Sequence, residues 1–401
     1  MSEWKKVKLK DCCHSISDGD HLPPPKSNSG VPFVTIANID ATNHIDFGNT
    51  MFVPLEYYNN LNDIRKAKCN DILYSVVGSF GKPALIKENI PFAFQRHIAI
   101  LRPNNEIADS RFLYYVMLTR DFFMQADTVA IGAAQRTISL TALRNMEVKL
   151  PSMETQHRIA SILSRYDSLI ENYQKQIKLL EEVAQRLYKE WFFDLHFPGH
   201  ENTKIVDGVP EGWEKKPIKT IIELQSGYAF KSSAFMEDGI YKIVTIKNVK
   251  DGAFDGENVS KIASIPEKMP KHCILEDGDI LLSLTGNVGR VCIVNGKNYL
   301  LNQRVAKLKS AYKAYTYCLF RSRDMFIEVN NLANGAAQQN VSPIRIGEMK
   351  ILIPEKKWLD DFERTVSNYI LGIITLQSQI RFLTEARDRL LPKLMSGEIA
   401  V

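Results

Sequence analysis

The chain has 401 residues, 45% of them hydrophobic and 24% charged, with a formal net charge of +5. That length allows two or three globular domains, and the mild positive excess permits a nucleic-acid partner without requiring one. No run is long enough to span a bilayer, MSEWKKVKLKD lacks the apolar region of a secretory signal, and the six cysteines contain no CxxC pair; a reduced cytoplasmic protein without a zinc site is expected.

Taken in chain order, residues 31–36, 72–77, 84–86 and 98–101 read as strands, rich in Val, Ile and Phe and separated by turn residues. Residues 112–124 read as one short aromatic-rich helix. After Leu150-Pro151, apolar residues recur at Ile159, Ile162, Tyr166, Leu169, Tyr173, Ile177, Leu180, Ala184, Leu187 and Trp191. Steps of three and four predict a helix over about 155–191, roughly 55 Å long at 1.5 Å per residue. Residues 197–212 have the Pro, Gly and polar content of a linker. Strands then return at 243–246, 280–284 and 291–294, and a helix near 315–330. Beyond Pro354 a second long seam runs through Val366, Tyr369, Ile373, Leu376, Ile380, Leu383, Leu390 and Leu394, with Arg387 as a polar intruder. Two narrow seams of this length suit each other, so an antiparallel two-helix coil is expected.

The order is a duplication. Trp4 returns as Trp213, Val34-Thr35-Ile36-Ala37-Asn38 as Val244-Thr245-Ile246-Lys247-Asn248, and Gly78-Ser79-Phe80-Gly81-Lys82 as Gly286-Asn287-Val288-Gly289-Arg290. Gln95-Arg96 matches Gln303-Arg304, and Gly132-Ala133-Ala134-Gln135 matches Gly335-Ala336-Ala337-Gln338. A unit of about 200 residues is repeated once. The expected boundaries are a domain over 1–150, a helix over 151–194, a linker over 195–212, a domain over 213–353, and a helix with its tail over 354–401.

Catalytic signals are missing. There is no GxxxxGK[ST] phosphate loop, HExxH or GxSxG. No Gly-rich strand–helix turn or Asn-Pro-Pro-aromatic motif marks a methyltransferase, and the eight histidines lack metal-ligand spacing. The chain is expected not to be an enzyme and to hold no cofactor of its own.

Two domains alternating with two long helices resemble the specificity subunit of a type I restriction-modification enzyme. The residues carrying the likeness are the early Trp of each half, Leu150-Pro151 with Gln156 and Ile159, and the closing Leu390-Leu391-Pro392-Lys393-Leu394-Met395-Ser396-Gly397-Glu398-Ile399. One departure is Lys356-Lys357-Trp358 after Pro354, where the family has Glu-Gln. The resemblance covers essentially the whole chain. It implies an α+β fold with two target recognition domains in tandem, separated by an antiparallel coiled coil. It also implies double-stranded DNA as ligand, each domain reading one half of a bipartite asymmetric site. The implied partners are two methyltransferase subunits and, in a restriction complex, motor-nuclease subunits; S-adenosylmethionine, ATP and magnesium would belong to those partners. A stiff coil would fix the spacing of the half-sites.

The duplication suggests which residues touch DNA. Those shared by both copies suit common work: Gln95, Arg96, Gln303 and Arg304, which can contact phosphates or base edges or make structural hydrogen bonds, and the paired glycines. Those at matched places that differ suit base reading: residues 18–27 against 226–235, with Lys26, Ser27, Lys231 and Ser232 as candidates within them, Ser79-Phe80 against Asn287-Val288, and Arg136-Thr137 against Gln339-Asn340, in the polar loops Gln135-Arg136 and Gln338-Gln339-Asn340. Lys82 and Arg290 close the glycine loops. Two other readings stay open: a DNA-binding regulator without restriction partners, and a coiled-coil interaction scaffold.

Overall fold

The apolar runs near 72 and 280 do not alternate, because each becomes a strand covered on both faces. A computed structural model describes residues 4–21, 24–40, 42–133, 135–257, 259–333 and 339–401. The chain divides into two units, Met1–Leu169 with Leu383–Val401, and Ile170–Phe382. In the first, an antiparallel sheet has the order Cys13–Asp18, Ile98–Pro103, Ile72–Ser75, Pro83–Leu85. Ile72, Tyr74, Ala99 and Leu101 point into a core shared with helices, whereas Leu73, Ile98 and Ile100 pack on Val34, Phe92 and Phe94. The latter side is a smaller sheet in which Val31–Val34 pairs antiparallel with Met51–Val53 and parallel with Ala93–Phe94.

The second unit repeats this topology. Its larger sheet runs Glu223–Ser226, Val305–Lys309, Ile280–Ser283, Val291–Ile293; its smaller one runs Ser260–Ile262, Tyr241–Val244, Tyr299–Leu301, Ile274–Leu275. In each unit a short two-stranded sheet joins the start of the domain to the strand before a long helix: Lys5–Lys8 with Glu147–Leu150, and Glu214–Pro217 with Lys350–Ile353.

Several expected elements end early or split, each for a local reason. The strands expected to reach Ile36 and Ile246 stop at Val34 and Val244. Thr35 and Thr245 each donate backbone N–H and hydroxyl to the side-chain oxygen of Asn38 or Asn248, at 2.8–2.9 Å, turning the chain. The single helix expected over 112–124 is two, Ser110–Met117 and Arg120–Val129, because the Thr119 hydroxyl accepts from the Phe122 amide and restarts the helix. Its counterpart splits into Lys313–Arg321 and Arg323–Ala333, with the Ser322 hydroxyl accepting from the Met325 amide at 3.3 Å. The stretch read as a linker is ordered: Ile205–Val206 and Val209–Pro210 form a hairpin whose turn residues Asp207 and Gly208 have φ of 49° and 76°. Both values suit a type I′ turn, for which Asp-Gly is a favoured pair.

The long helices are Met153–Tyr188 and Lys356–Met395. In the second unit they run antiparallel, since Trp191 meets Phe362 with ring centroids 5.6 Å apart while Leu180 lies against Gly372. In the first unit Arg387, the polar intruder, donates to Asp167 at 2.8 Å, and Asp167 also accepts from the Tyr115 hydroxyl. Burial and the Asp167 carboxylate push the Tyr115 phenol far above its ordinary range, keeping it a donor. One stretch of the expected seam is shifted: Leu169 is 42% exposed, whereas Leu163 and Ile170 are buried. Leu163 packs with Leu113, Ile159 and Ala160, so this half of the helix serves a domain core and its buried face is broader than an a/d stripe.

The residues that carried the resemblance have structural work. Trp4 packs on Phe112, and Gly397 turns beside its ring with φ of 74°. Gln156 is buried; its Oε1 accepts from the Asp109 amide at 3.0 Å, and its Nε2 donates to the carbonyls of Pro151 and Ile107. Leu359 stands at the matching place in the second unit. Glu363, one turn later, supplies the acceptor instead, taking the Ala314 amide at 3.0 Å.

Candidate nucleic-acid interface

Each larger sheet ends in a cluster of three turns that the sequence had kept apart. The first turn is the glycine loop. Ser75 anchors it: its amide donates to Lys82, its hydroxyl donates to the Ser79 carbonyl, and Gly81 donates back to the Ser75 carbonyl at 3.0 Å. Gly78 and Gly81 have φ of 68° and 91°. Ser283 repeats the arrangement with Asn287, Gly289 and Arg290, and Gly286 and Gly289 have φ of 71° and 85°. These left-handed values favour glycine.

The second turn lies just after the Gly-Ala-Ala-Gln segments in sequence. Gly78 donates to the Arg136 carbonyl at 2.9 Å and Ile138 to Val76 at 2.8 Å. In the other unit Gly286 donates to Gln339 at 3.1 Å and Val341 to Leu284 at 2.9 Å. Two loops distant in sequence are therefore laced together by backbone bonds in both units.

The third turn corrects the sequence alignment. Ile98 closes a turn on the Gln95 carbonyl, as Val305 does on Asn302; the Gln95 amide donates to the Val34 carbonyl, as the Asn302 amide does to Val244. Val76 then donates to His97, where Leu284 donates to Arg304. Strand pairing of Ser75 with Ile98, and of Ser283 with Val305, fixes the same register. Structurally Arg96 matches Gln303, and His97 matches Arg304. The Gln-Arg identity is an accident of sequence one residue out of register, so it does not mark shared work. His97 was missed; only the strand register reveals its place.

Side chains at the cluster differ between units. Arg136 pairs with Asp127, donates to the Asp127 carbonyl, and lies 5.3 Å over the Phe80 ring, which stacks on Phe123. In the second unit Asn330 holds the Val288 carbonyl at 3.0 Å, and Asn340 accepts from the Thr285 hydroxyl at 2.7 Å. Ser79, Arg96, Gln135, Asn287, Gln303, Arg304, Gln339 and Asn340 are exposed; Lys82, Gln95, Arg136 and Arg290 are half-buried. Gln338 lies outside the described residues.

Lys26, Ser27, Lys231 and Ser232 lie elsewhere. The Ser27 amide donates to Phe52 at the rim of the smaller sheet, and Ser232 begins a short turn closed by Lys231. Beside Gln95 is an unanticipated cluster: Tyr57 donates to Asp20 at 2.6 Å, and Arg65 approaches Asp20 at 3.5 Å and Asp18 at 3.7 Å. Among the described residues no group of His, Cys, Asp and Glu could hold a metal ion, and no helix is long and apolar enough to cross a membrane.

Comparison with known proteins matches residues 1–182 and 210–366 to the type I restriction modification DNA specificity domain. A type I restriction enzyme MjaIX specificity subunit from Methanocaldococcus jannaschii is 29% identical over 303 residues, covering 73% of this chain and 69% of that protein. The HindI specificity subunit from Haemophilus influenzae is 21% identical with both chains covered completely. Among solved structures, the S subunit of a type I restriction-modification system from M. genitalium superposes with a TM-score of 0.59, 17% identity, and coverage of 98% of this chain and 96% of that one. With both copies of the repeat matched, the chain belongs to the DNA specificity subunits of type I restriction-modification systems, which are non-catalytic recognition components.

Proposed function

We propose that each unit reads one half of a bipartite, asymmetric DNA site through the three-turn cluster at the end of its larger sheet. The observation that carries this is the pairing of sameness and difference: two copies keep one backbone-bonded frame while Ser79 and Thr137 give way to Asn287 and Asn340, and the Asp127-paired Arg136 to Gln339. A rigid frame with exchangeable polar tips suits base-edge recognition, since bidentate amide contacts discriminate by about 1–3 kcal/mol each. The long helices dock two methyltransferase subunits, which supply S-adenosylmethionine chemistry, and set the number of spacer base pairs. Motor-nuclease subunits, using ATP and magnesium, join for restriction.

Selection from duplexes randomised in both half-sites, with the methyltransferase present, tests the reading. The expected product is two short, different sequences separated by a fixed spacer, bound with a steep negative dependence on salt. A single continuous motif, or no enrichment, would sink it.

A further inference from the structure

One edge of each larger sheet is Cys13–Asp18 in the first unit and Glu223–Ser226 in the second. These edges are built differently. Cys13 pairs with Pro103 and Ser15 with Arg102, so His14 is an extra residue in a bulge. Glu223 to Ser226 pair with Lys309 to Ala306 without interruption. Bulges re-aim side chains, and His14 is exposed. It lines a cleft of about 340 Å³ with Lys10, Ser15, Ser17 and Arg144, and no Asp or Glu lines it. Arg144 is fixed by one N–H donated to the Ile16 carbonyl at 2.6 Å, leaving other guanidinium donors available.

At the matching places the second unit lacks this set. Leu9 and Ile218 donate to Met146 and Met349 in the same way, which matches Lys10 with Lys219 and Arg144 with Gly347. Lys219 is paired with Glu348 at 2.5 Å, and Glu223 on the outer strand approaches Lys309 at 3.7 Å. The basic cleft therefore belongs to the first unit, where it follows the outer strand to Ser17. Two residues on, Gly19 donates to Ile98 at the turn formed by Gln95 and His97. The cleft's Ser17 end leads along the strand toward the turns assigned above to DNA, while His14 lies at the strand's other end.

We propose that this cleft is a phosphodiester subsite, in which Lys10, His14 and Arg144 hold the DNA backbone flanking the first half-site. A concave strip of a lysine, a guanidinium and an imidazole donor, with two hydroxyls and no carboxylate, suits a phosphate and carries no base information. This rests on the DNA-reading assignment, and it makes the two halves unequal: the first unit has a flanking phosphate anchor that the second lacks.

The test measures affinity of the full chain against salt on a duplex recovered by the unaltered chain. Each lost phosphate contact flattens the slope of log affinity against log salt by about 0.9. Lys10→Gln with His14→Gln should flatten it by about one, adding Arg144→Gln should flatten it further, and base preference in both half-sites should persist. Lys219→Gln, the matched change in the second unit, should leave the slope unchanged. Because Arg144 also holds Ile16, the Lys10/His14 pair is the decisive variant. An unaltered slope in that variant, or an equal flattening by Lys219→Gln, overturns the subsite while leaving the DNA-reading function intact. A flat salt response of the unaltered chain overturns that function and the subsite together.

Discussion

The two glycine loops have one backbone and two kinds of side-chain support. In the first unit the second glycine, Gly81, sits against Phe123, and Phe80, Phe123 and Arg136 stack outward from there with Asp127 holding the guanidinium. In the second, Gly289 sits against Phe326 and Asn330, Val288 is buried, and the Asp127–Arg136 charge pair is replaced by Asn330 and Gln339. The hydrogen bonds between loops that both units share are backbone bonds and survive replacement of the side chains above them. Duplication can therefore change what a recognition loop presents without disturbing how it is held.

The largest effect expected from breaking this comparison comes from the frame. Gly81→Val would place a Cβ within 2.8 Å of the Phe123 ring at a φ of 91°. Strain of this kind costs about 1–3 kcal/mol, with the steric clash added to it. Selectivity in the first half-site should collapse while the second stays intact; loss of both, in a chain that still folds by circular dichroism, would contradict independent reading. Next comes the helix start. Gln156→Leu copies Leu359 without the Glu363 that accompanies it, leaving the Asp109 amide and two carbonyls without that partner. Thermal or urea unfolding should show a loss of about 2–4 kcal/mol, given about 1–3 for each stranded buried group. A loss under about 1 kcal/mol would mean that water replaces the amide.

Much of this arrangement was legible in the residues. The repeat announced two copies of one domain, and the three-and-four steps announced both long helices. The two-sided burial of Ile72–Ser75 was hidden, because an unalternating apolar run is the same whichever elements cover it. The splits at Thr119 and Ser322 rest on single hydroxyls within otherwise helical runs. At the candidate interface, the glycines announced the turns through their spacing, but the bonds joining Gly78 to Arg136 depend on the fold. Identity of the letters Gln-Arg suggested an equivalence that strand register overturns, placing His97 where Arg304 stands.

That register supplies the third prediction. Replacing Gln338, Gln339 and Asn340 with Ala should relax one half-site by roughly ten- to several-hundred-fold, the range given by one or two lost bidentate contacts. Arg304→Ala should weaken all sequences alike and flatten the salt slope by about one, and His97→Arg should steepen it by a similar amount through the matched position of the first unit. If the triple variant keeps full preference at every base, the Gly-Ala-Ala-Gln segment does not read DNA.

The smallest effect, and the sharpest discriminator, is expected at Arg136. Its guanidinium and the Asp127 carboxylate are 40% and 38% exposed, so their ion pair is screened and contributes about 0.2–1 kcal/mol. The Phe80 ring adds about 0.5–1 kcal/mol. Arg136→Gln, which installs the residue of the second unit, should therefore lower stability by about 1 kcal/mol. Adding Asp127→Asn completes the neutral pair and should recover part of that loss, which equilibrium unfolding would resolve. Because the guanidinium already faces Asp127 and Phe80, neither variant should change base preference in the first half-site by as much as tenfold. The exposed Gln135 beside it should carry the reading, so Gln135→Ala should relax a position that Arg136→Gln leaves alone. A tenfold or greater loss at one base on changing Arg136 alone would mean that the arginine leaves Asp127 for a base edge when DNA binds. The first unit would then read with a charge where the second reads with amides.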